Sequence, residues 1–504
     1  MDPLLQKSGT QLAALIRSRE VSAREVLEKH IEHIKKVNPL INALVEDRFA
    51  WAREEADEAD RQLESTSGKG LPPLHGVPCS IKENLAHVGM PNTCGLAHRK
   101  GVVLQYDATA VARIRQAGAI SMGVTNIPEF CMWIETYNNI YGRCKNPYDT
   151  RRITGGSSGG EGALISAGGS PFGLGSDIAG SIRYPAFFNG VFGHKPSGGL
   201  VPGTGHYPQL GDKVGRYNTV GPLARRAEDL FPLLKIIAGP DDKDGSCLKY
   251  RLRDPSRVKL DRLNVISIEN HGSFRIDEDL RRAQQKCADY LEEKGARVFR
   301  NLRLDSIDRC LEIWASMVVS QMEGSVEDFV SGGDEINIPR ELLRMGLRRS
   351  GHTAPIMVLV MLEKLYRFFE QPPRGDKLNQ FTRKFFDAGL QLKEDLQKLL
   401  DNNGIILYPS FSTTAPVHKR PLYSPFNTTY MMMANVMELP STQVPLGLNH
   451  RGLPLGLQII GNQGYDHLTI AAAMELEEAF GGWIPPWEAK RGEDRKHSVS
   501  AVLT

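Results

Sequence analysis

The chain has 504 residues, 41% of them hydrophobic and 24% charged, with a formal net charge of +3 from 62 basic and 59 acidic side chains. That balance gives no polyelectrolyte signal, so no nucleic-acid partner is expected, and the apolar content is that of an ordinary soluble globular protein. Cys79, Cys94, Cys131, Cys144, Cys247, Cys287 and Cys310 are widely spaced and form no C-x-x-C, which predicts reduced thiols in a cytoplasmic setting rather than a disulfide framework or a zinc site. Neither a signal-peptide pattern nor a run of ~18 apolar residues is visible.

Taken in order, residues 8–64 read as helices. Ser22-Ala-Arg-Glu25 has the form of a capping box before Val26, Leu27, Ile31 and Ile34 at helical spacing. Asn38-Pro39 is predicted to break that helix, and a charged helix follows through Glu46–Leu63. His30 and His33 share a face without a third ligand and are expected at the surface; no metal is expected. The segment 70–240 then alternates strand-like and helix-like stretches. Leu74–Ile81 is an apolar run ending in Lys82-Glu83-Asn84, Asp107–Ala117 an amphipathic helix, Ala119–Val124 a strand and Asn126–Trp133 a loop.

After Pro196 come Gly- and Pro-rich turns, a helix over Ala227–Ala238, a strand over Leu263–Ile268 and a helix over Asp277–Gly295. Residues 300–400 change to nearly continuous helix and read as an insertion. Strands return over 405–484, with Leu439–Leu448 and Leu453–Gly461 as a paired β unit and His467–Phe480 as a closing helix. The expectation is one α/β domain over 1–504, a mixed twisted β-sheet core surrounded by α-helices.

The chemistry concentrates between Gly155 and Lys195, where serine and glycine alternate with apolar residues such as Leu164, Phe172, Ile182 and Phe187. That mixture is too apolar for a solvated linker. A phosphate loop fits poorly, since no Gly-Lys-Ser/Thr follows Gly155–Gly160 and no apolar strand precedes it. Gly156-Ser-Ser-Gly-Gly160 formally satisfies G-x-S-x-G, which would make Ser158 a nucleophile with a histidine partner; none of His206, His271, His352, His418, His450 and His467 stands out for that role. A third reading is a serine activated by a lysine.

Lys82 in Val77-Pro-Cys-Ser-Ile-Lys82, Gly155-Gly-Ser-Ser-Gly-Gly160, Gly175-Ser-Asp-Ile-Ala-Gly-Ser181-Ile-Arg-Tyr-Pro-Ala, Gly193-His-Lys-Pro196 and Gly452–Gly461 together resemble the amidase signature family. The likeness runs over essentially the whole chain and is greatest to the fatty-acid amide hydrolases, especially their type 2 branch. It implies a hydrolase of carboxylic amides working through an acyl-enzyme, without cofactor. In that resemblance Ser181 is the nucleophile, Ser157 a bridging serine on a cis peptide and Lys82 the base. The main-chain amides of Ile178, Ala179, Gly180 and Ser181 form the oxyanion hole, and Ser158, Asp177 and Arg183 support the backbone. The family usually carries glycine where this chain has Ala179, so a restricted φ or a narrowed site is expected there.

The physics is coherent with those roles. A lysine near pKa ~10.4 is a poor base at neutral pH, and burial beside Leu74–Ile81 lowers it by disfavouring the ammonium. The resemblance also places Met132, Trp133 and Ile134 at an acyl or aryl pocket for a small-molecule amide, with esters and carbamates as further substrates. It makes 336–370 an apolar helical cap contacting a membrane peripherally, a face that core packing or a homodimer would use equally well. The rival within the family is the A-type component of an amidotransferase, acting on glutamine in a tRNA-dependent complex.

Overall fold

The computed structural model describes residues 2–489 apart from 67, 271–274, 301, 303, 305, 323, 370–378 and 425–428. Eleven strands form one sheet: β1 Leu44–Asp47, β2 Pro78–Lys82, β3 Ile120–Thr125, β4 Phe172–Asp177, β5 Phe192–Lys195, β6 Thr219–Ala224, β7 Asn264–Ser267, β8 Arg297–Arg300, β9 Gly404–Pro409, β10 Ser441–Leu448 and β11 Pro454–Gly461. Their spatial order is β1-β3-β2-β4-β6-β5-β10-β11-β9-β7-β8. The sheet is mixed: β2 runs parallel to β3 and β4, β4 antiparallel to β6, and β9 parallel to β7. Every residue of β2 to β6 and of β9 is buried, as expected where helices cover both faces.

The paired unit near the C-terminus is antiparallel, with Gln443 opposite Gln458, and β10 also pairs with β5, Thr442 opposite His194. The last third of the chain therefore enters the same sheet as the Gly/Ser region. Between them, helices Cys310–Val319, Val326–Ser331, Ile338–Gly346, Ala354–Phe369 and Gln380–Leu400 make up the inserted segment.

Four local expectations change. Residues 44–47, read within the helices of 8–64, form the edge strand β1 against β3, and the charged helix starts only at Phe49. Helix Ala23–Ile41 continues through Pro39 and ends at Asn42 in the left-handed region (φ 49°). A proline this near the end disturbs little of the helix, and asparagine tolerates that C-terminal conformation. His30 and His33 are buried, not superficial; His30 Nδ1 faces the Val26 carbonyl at 2.8 Å. Finally, β4, β5 and β6 run through stretches whose glycine and proline content disguised them.

Glycine in β4 has a packing cause. A Cβ on Gly173 would lie 1.9 Å from Glu161 Oε2, and one on Gly175 2.8 Å from Ser158 Oγ. These alternate residues face helix Gly159–Ser166, whose residues are all buried. The close approach of that helix to the strand is what side chains there would prevent.

Candidate active site

Lys82 ends β2, Ser157 and Ser158 precede helix Gly159–Ser166, and Ser176 and Asp177 end β4. Because β2 and β4 are parallel neighbours, their C-terminal ends deliver these groups to one place. Lys82 Nζ lies 2.7 Å from Ser157 Oγ and 2.9 Å from Ser176 Oγ. All three side chains are buried. Burial disfavours the Lys82 ammonium and lowers its pKa.

The Gly156–Ser157 peptide is cis. A Cβ on Gly156 would approach the Trp133 carbonyl oxygen to 2.2 Å, and one on Gly155, at φ +78°, would meet the Tyr184–Pro185 backbone at 2.7 Å. Ser157 is thus presented by a turn clamped on both sides, where only glycine fits. Ser158 is wholly buried: its amide donates to Ser181 O at 3.0 Å, and its Oγ lies 3.4 Å from both the Ser176 nitrogen and oxygen. It fastens the two serine-bearing turns together and does not line the cavity.

That cavity is lined by Ser157, Ser176, Ser181 and His206 at its polar end, with Phe130, Cys131, Met132, Ile178, Leu210, Trp314, Val318 and Met322 among its apolar walls. Ser157 and Ser181, 24 positions apart in sequence, share this space. Asp177 shapes the loop between β4 and Ser181. Its Oδ1 accepts the Gly180 amide at 2.6 Å and its Oδ2 the Ile182 amide at 3.1 Å. Burial alone would push this carboxyl up, but Arg183, with Nε 3.0 Å from Oδ2, and Asn435 hold it well below the usual range. Arg183 also donates to Gln458 Oε1 at 2.8 Å and to Asn435 Oδ1 at 2.6 Å.

Of the four amides expected to face an oxyanion, that of Gly180 is committed to Asp177, whereas Asp177 does not engage those of Ile178, Ala179 and Ser181. Gly180 has φ +106°, and a Cβ there would meet the Tyr184 ring at 2.5 Å. Ala179 lies outside the positive-φ region. Its methyl therefore imposes no φ conflict, contrary to the expected restriction.

The expected pocket trio separates. Met132 lines the cavity. Ile134 is buried in the neighbouring core cluster with Tyr184 and Phe188, and Trp133 packs against that cluster. Three walls come from helix Cys310–Val319 and the turn after it, through Trp314, Val318 and Met322. Trp314 Nε1 donates to the Ile178 carbonyl at 2.8 Å. Nothing in the local sequence marks that helix as part of a site.

His206, which had no evident role in sequence, reaches Ser176. Its Nδ1 lies 3.0 Å from the Pro208 carbonyl, and its Nε2 lies 2.9 Å from Ser176 Oγ and 2.9 Å from Asn84 Nδ2. A carbonyl can only accept, so Nδ1 carries the proton and Nε2 is an acceptor. Burial brings His206 down to about 4, so it is neutral at physiological pH. The Ser176 hydroxyl therefore lies between the Nε2 acceptor of His206 and Lys82 Nζ, which reaches both Ser176 Oγ and Ser157 Oγ. The histidine meets Ser176 and not Ser158, and among the described residues no histidine contacts Ser158; His271 lies outside them.

Comparison with known proteins gives the family. The family model described as Amidase matches residues 25–470. This chain belongs to the amidase family. It is an enzyme of amide hydrolysis. It is 40% identical over 500 residues to fatty-acid amide hydrolase 2 of Homo sapiens, covering 96% of this chain and 91% of that one. The A component of the glutamyl-tRNA(Gln) amidotransferase of Cyanothece sp. is 30% identical over 482 residues, covering 93% and 96%. Among solved structures, 6-aminohexanoate cyclic dimer hydrolase superposes with a TM-score of 0.76 at 25% identity, over 98% of this chain and 99% of that one. A fatty acid amide hydrolase at 22% identity shares the fold with the same TM-score, over 96% and 87%.

Proposed function

We propose that this amidase cleaves amides of apolar carboxylic acids, and esters and carbamates of the same shape, by acyl transfer from Ser181 to water. The observation that carries the reading is a buried, hydrogen-bonded Lys82–Ser157 pair opening onto an apolar cavity that also contains Ser181. Neutral Lys82 takes the proton of Ser157, and Ser157 takes that of Ser181 as it attacks the carbonyl. Running the relay backwards protonates the departing amine, the demanding step for amides. The amides of Ile178, Ala179 and Ser181 receive the oxyanion, and Asp177 with Arg183 holds their loop. Ser176 and His206 are positioning residues for the lysine.

For the substrate, no Asp, Glu, Lys or Arg lines the described cavity. That favours an acyl or aryl chain over free glutamine, whose ammonium and carboxylate would be left unpaired. The glutamine reading shared with the amidotransferase relatives is the weaker one for this reason. Likeness to fatty-acid amide hydrolase 2 makes long acyl chains the first choice.

The cap reading extends to the surface. Leu342, Leu343, Leu347, Val358, Leu362 and Leu365 are exposed large hydrophobics, with Arg340, Arg344, Arg348 and Arg349 exposed beside them. Apolar side chains flanked by arginines suit peripheral contact with an anionic lipid surface. Among the described residues no helix is long and apolar enough to cross a membrane. Residue 370, the last of the expected cap, lies outside the described residues.

The test is a hydrolysis panel graded by acyl length and amine, run with active-site labelling. A fluorophosphonate should attach to Ser181, and Ser181→Ala should abolish turnover of amides and esters alike. Attachment to Ser158, or turnover of glutamine alone and only with partner proteins present, would overturn the assignment.

A further inference from the structure

One thiol in the wall of this cavity and a second behind it have no part in the relay. Cys131 lines it beside Ser157 and Met132. Its Sγ lies 3.7 Å from the Sγ of Cys94, which is buried behind it. Their backbones are held together independently of the sulfurs. The Phe130 amide donates to the Cys94 carbonyl at 2.8 Å, and the Cys131 amide to the Pro128 carbonyl at 3.0 Å. The Cys94 amide donates to buried Glu83 Oε2 at 3.0 Å. Cys94, Phe130 and Cys131 all have positive φ, at 52°, 55° and 55°, a conformation that non-glycine residues seldom adopt. This backbone turns the two cysteines toward each other.

We propose that Cys131 is a modification site for small hydroperoxides entering the cavity, with Cys94 as the resolving thiol that converts the product to an internal disulfide. A disulfide requires a sulfur separation of about 2.05 Å, and these sulfurs are already in contact. The Cys131 thiolate attacks one oxygen of hydrogen peroxide. The O–O bond breaks, water leaves with the proton the thiol gave up, and a sulfenic acid remains. Cys94 sulfur then attacks that sulfur, the S–O bond breaks, and hydroxide leaves as water with the Cys94 proton. Two thiols have lost two electrons and two protons, and one peroxide has become two waters.

The surroundings favour this pair over the other cysteines. Burial disfavours a Cys131 thiolate, but the Cys94 and Ser157 hydrogen bonds, together with Lys82 in the state where it carries its proton, outweigh it and bring the thiol down to about 7. Burial instead pushes Cys144, Cys247 and Cys310 up to about 12, 11 and 12. The thiolate is the reacting form. Cys131 also has access through the cavity, which buried Cys79, Cys144, Cys287 and Cys310 lack.

The experiment is peroxide titration of the full chain, followed by alkylation and peptide mapping. The expected product is a Cys94–Cys131 cross-linked peptide, formed with loss of both alkylatable thiols and reversed by dithiothreitol. In Cys94→Ser the resolving sulfur is gone, so dimedone should trap a sulfenic acid at Cys131. In Cys131→Ser, Cys94 should stay alkylatable. The same map in Ser181→Ala should be unchanged, because the thiol chemistry does not depend on which serine attacks substrate. Oxidation at Cys247 before this pair, or a dimedone adduct at wild-type Cys131 without any cross-link, would overturn the proposal. The wild-type map decides even where a variant folds poorly.

Discussion

At the scale of single residues, Lys82 is the side chain whose environment most alters its chemistry. Buried and in reach of both Ser157 and Ser176, it acts in the proposed relay as a neutral amine, with the Ser176 hydroxyl turned toward His206. Lys82→Ala should lower amide turnover far more than ester turnover, since an alkoxide leaves without the proton that an amine needs. Equal losses measured on a matched amide and ester pair would remove the relay. His206→Phe, which cannot accept, frees the Ser176 hydroxyl to point at the lysine and should lower kcat about tenfold with little change in KM. His206→Gln, which can accept, should recover most of that loss. In the proposed relay the working form of Lys82 is the neutral amine, so kcat/KM should rise with pH through its lowered pKa. Steady-state pH profiles of both variants check these expectations, and a change confined to KM would place His206 in substrate binding instead.

At the scale of elements, the loop Pro128–Met132 couples cavity and cap. Buried Glu129 accepts from His352 Nδ1 at 2.9 Å and from the Thr353 amide at 2.6 Å, which ties the start of helix Ala354–Phe369 to the residues beside Ser157. Burial would lower the His352 pKa, but the Glu129 carboxylate outweighs it and raises it above the ordinary value. A raised folded-state pKa means that this contact's stabilisation is fully present below about pH 6.5, the unfolded value, and is lost as pH rises through the folded one. Amide hydrogen exchange in helix Ala354–Phe369, corrected for intrinsic pH dependence, should therefore quicken across that window. Glu129→Gln should flatten the response. A pH-independent exchange rate in the unaltered protein would show that the pair does not govern the cap.

Legibility differed among elements for a physical reason. Helix 23–41 declares itself because one periodicity places its apolar residues, and the β10–β11 pair because two apolar runs flank a turn. Strands β4 and β6 do not, since Gly173, Gly175 and Gly221 occupy positions where neighbouring side chains or backbone leave no room for a Cβ, and Pro222 gives no ladder donor. A Cβ on Gly221, for example, would lie 2.3 Å from the His194 carbonyl oxygen.

At the scale of the whole molecule, the cap presents two faces. Ile356, Met357 and Val360 pack with Phe130, Ile127 and Cys94, while Val358, Leu362 and Leu365 point outward. Burying one fully exposed leucine contributes about 1.5–3 kcal/mol, so a few of them suffice for reversible attachment. Replacing Leu343, Leu362 and Leu365 with serine should reduce co-sedimentation with phosphatidylserine-containing vesicles about tenfold or more and leave hydrolysis of a short, water-soluble amide unchanged. Equal sedimentation of both proteins, or a dimer lost on the same substitutions, would assign the face elsewhere.

The sequence by itself determined the fold class and, through its resemblance to the amidase signature family, Lys82, Ser157 and Ser181 as candidates, because the motifs that carry the resemblance, such as Gly155–Gly160 and Gly175–Ala186, are contiguous in the chain. Only the tertiary structure decided that His206 stands behind the lysine and Cys94 behind Cys131. It also decided that Met132 faces the cavity while Ile134 faces core, and that Trp314 closes the wall. Those relations join segments up to about two hundred residues apart through one sheet, and no periodicity or spacing along the chain encodes which side chains a shared sheet edge will bring within hydrogen-bonding distance.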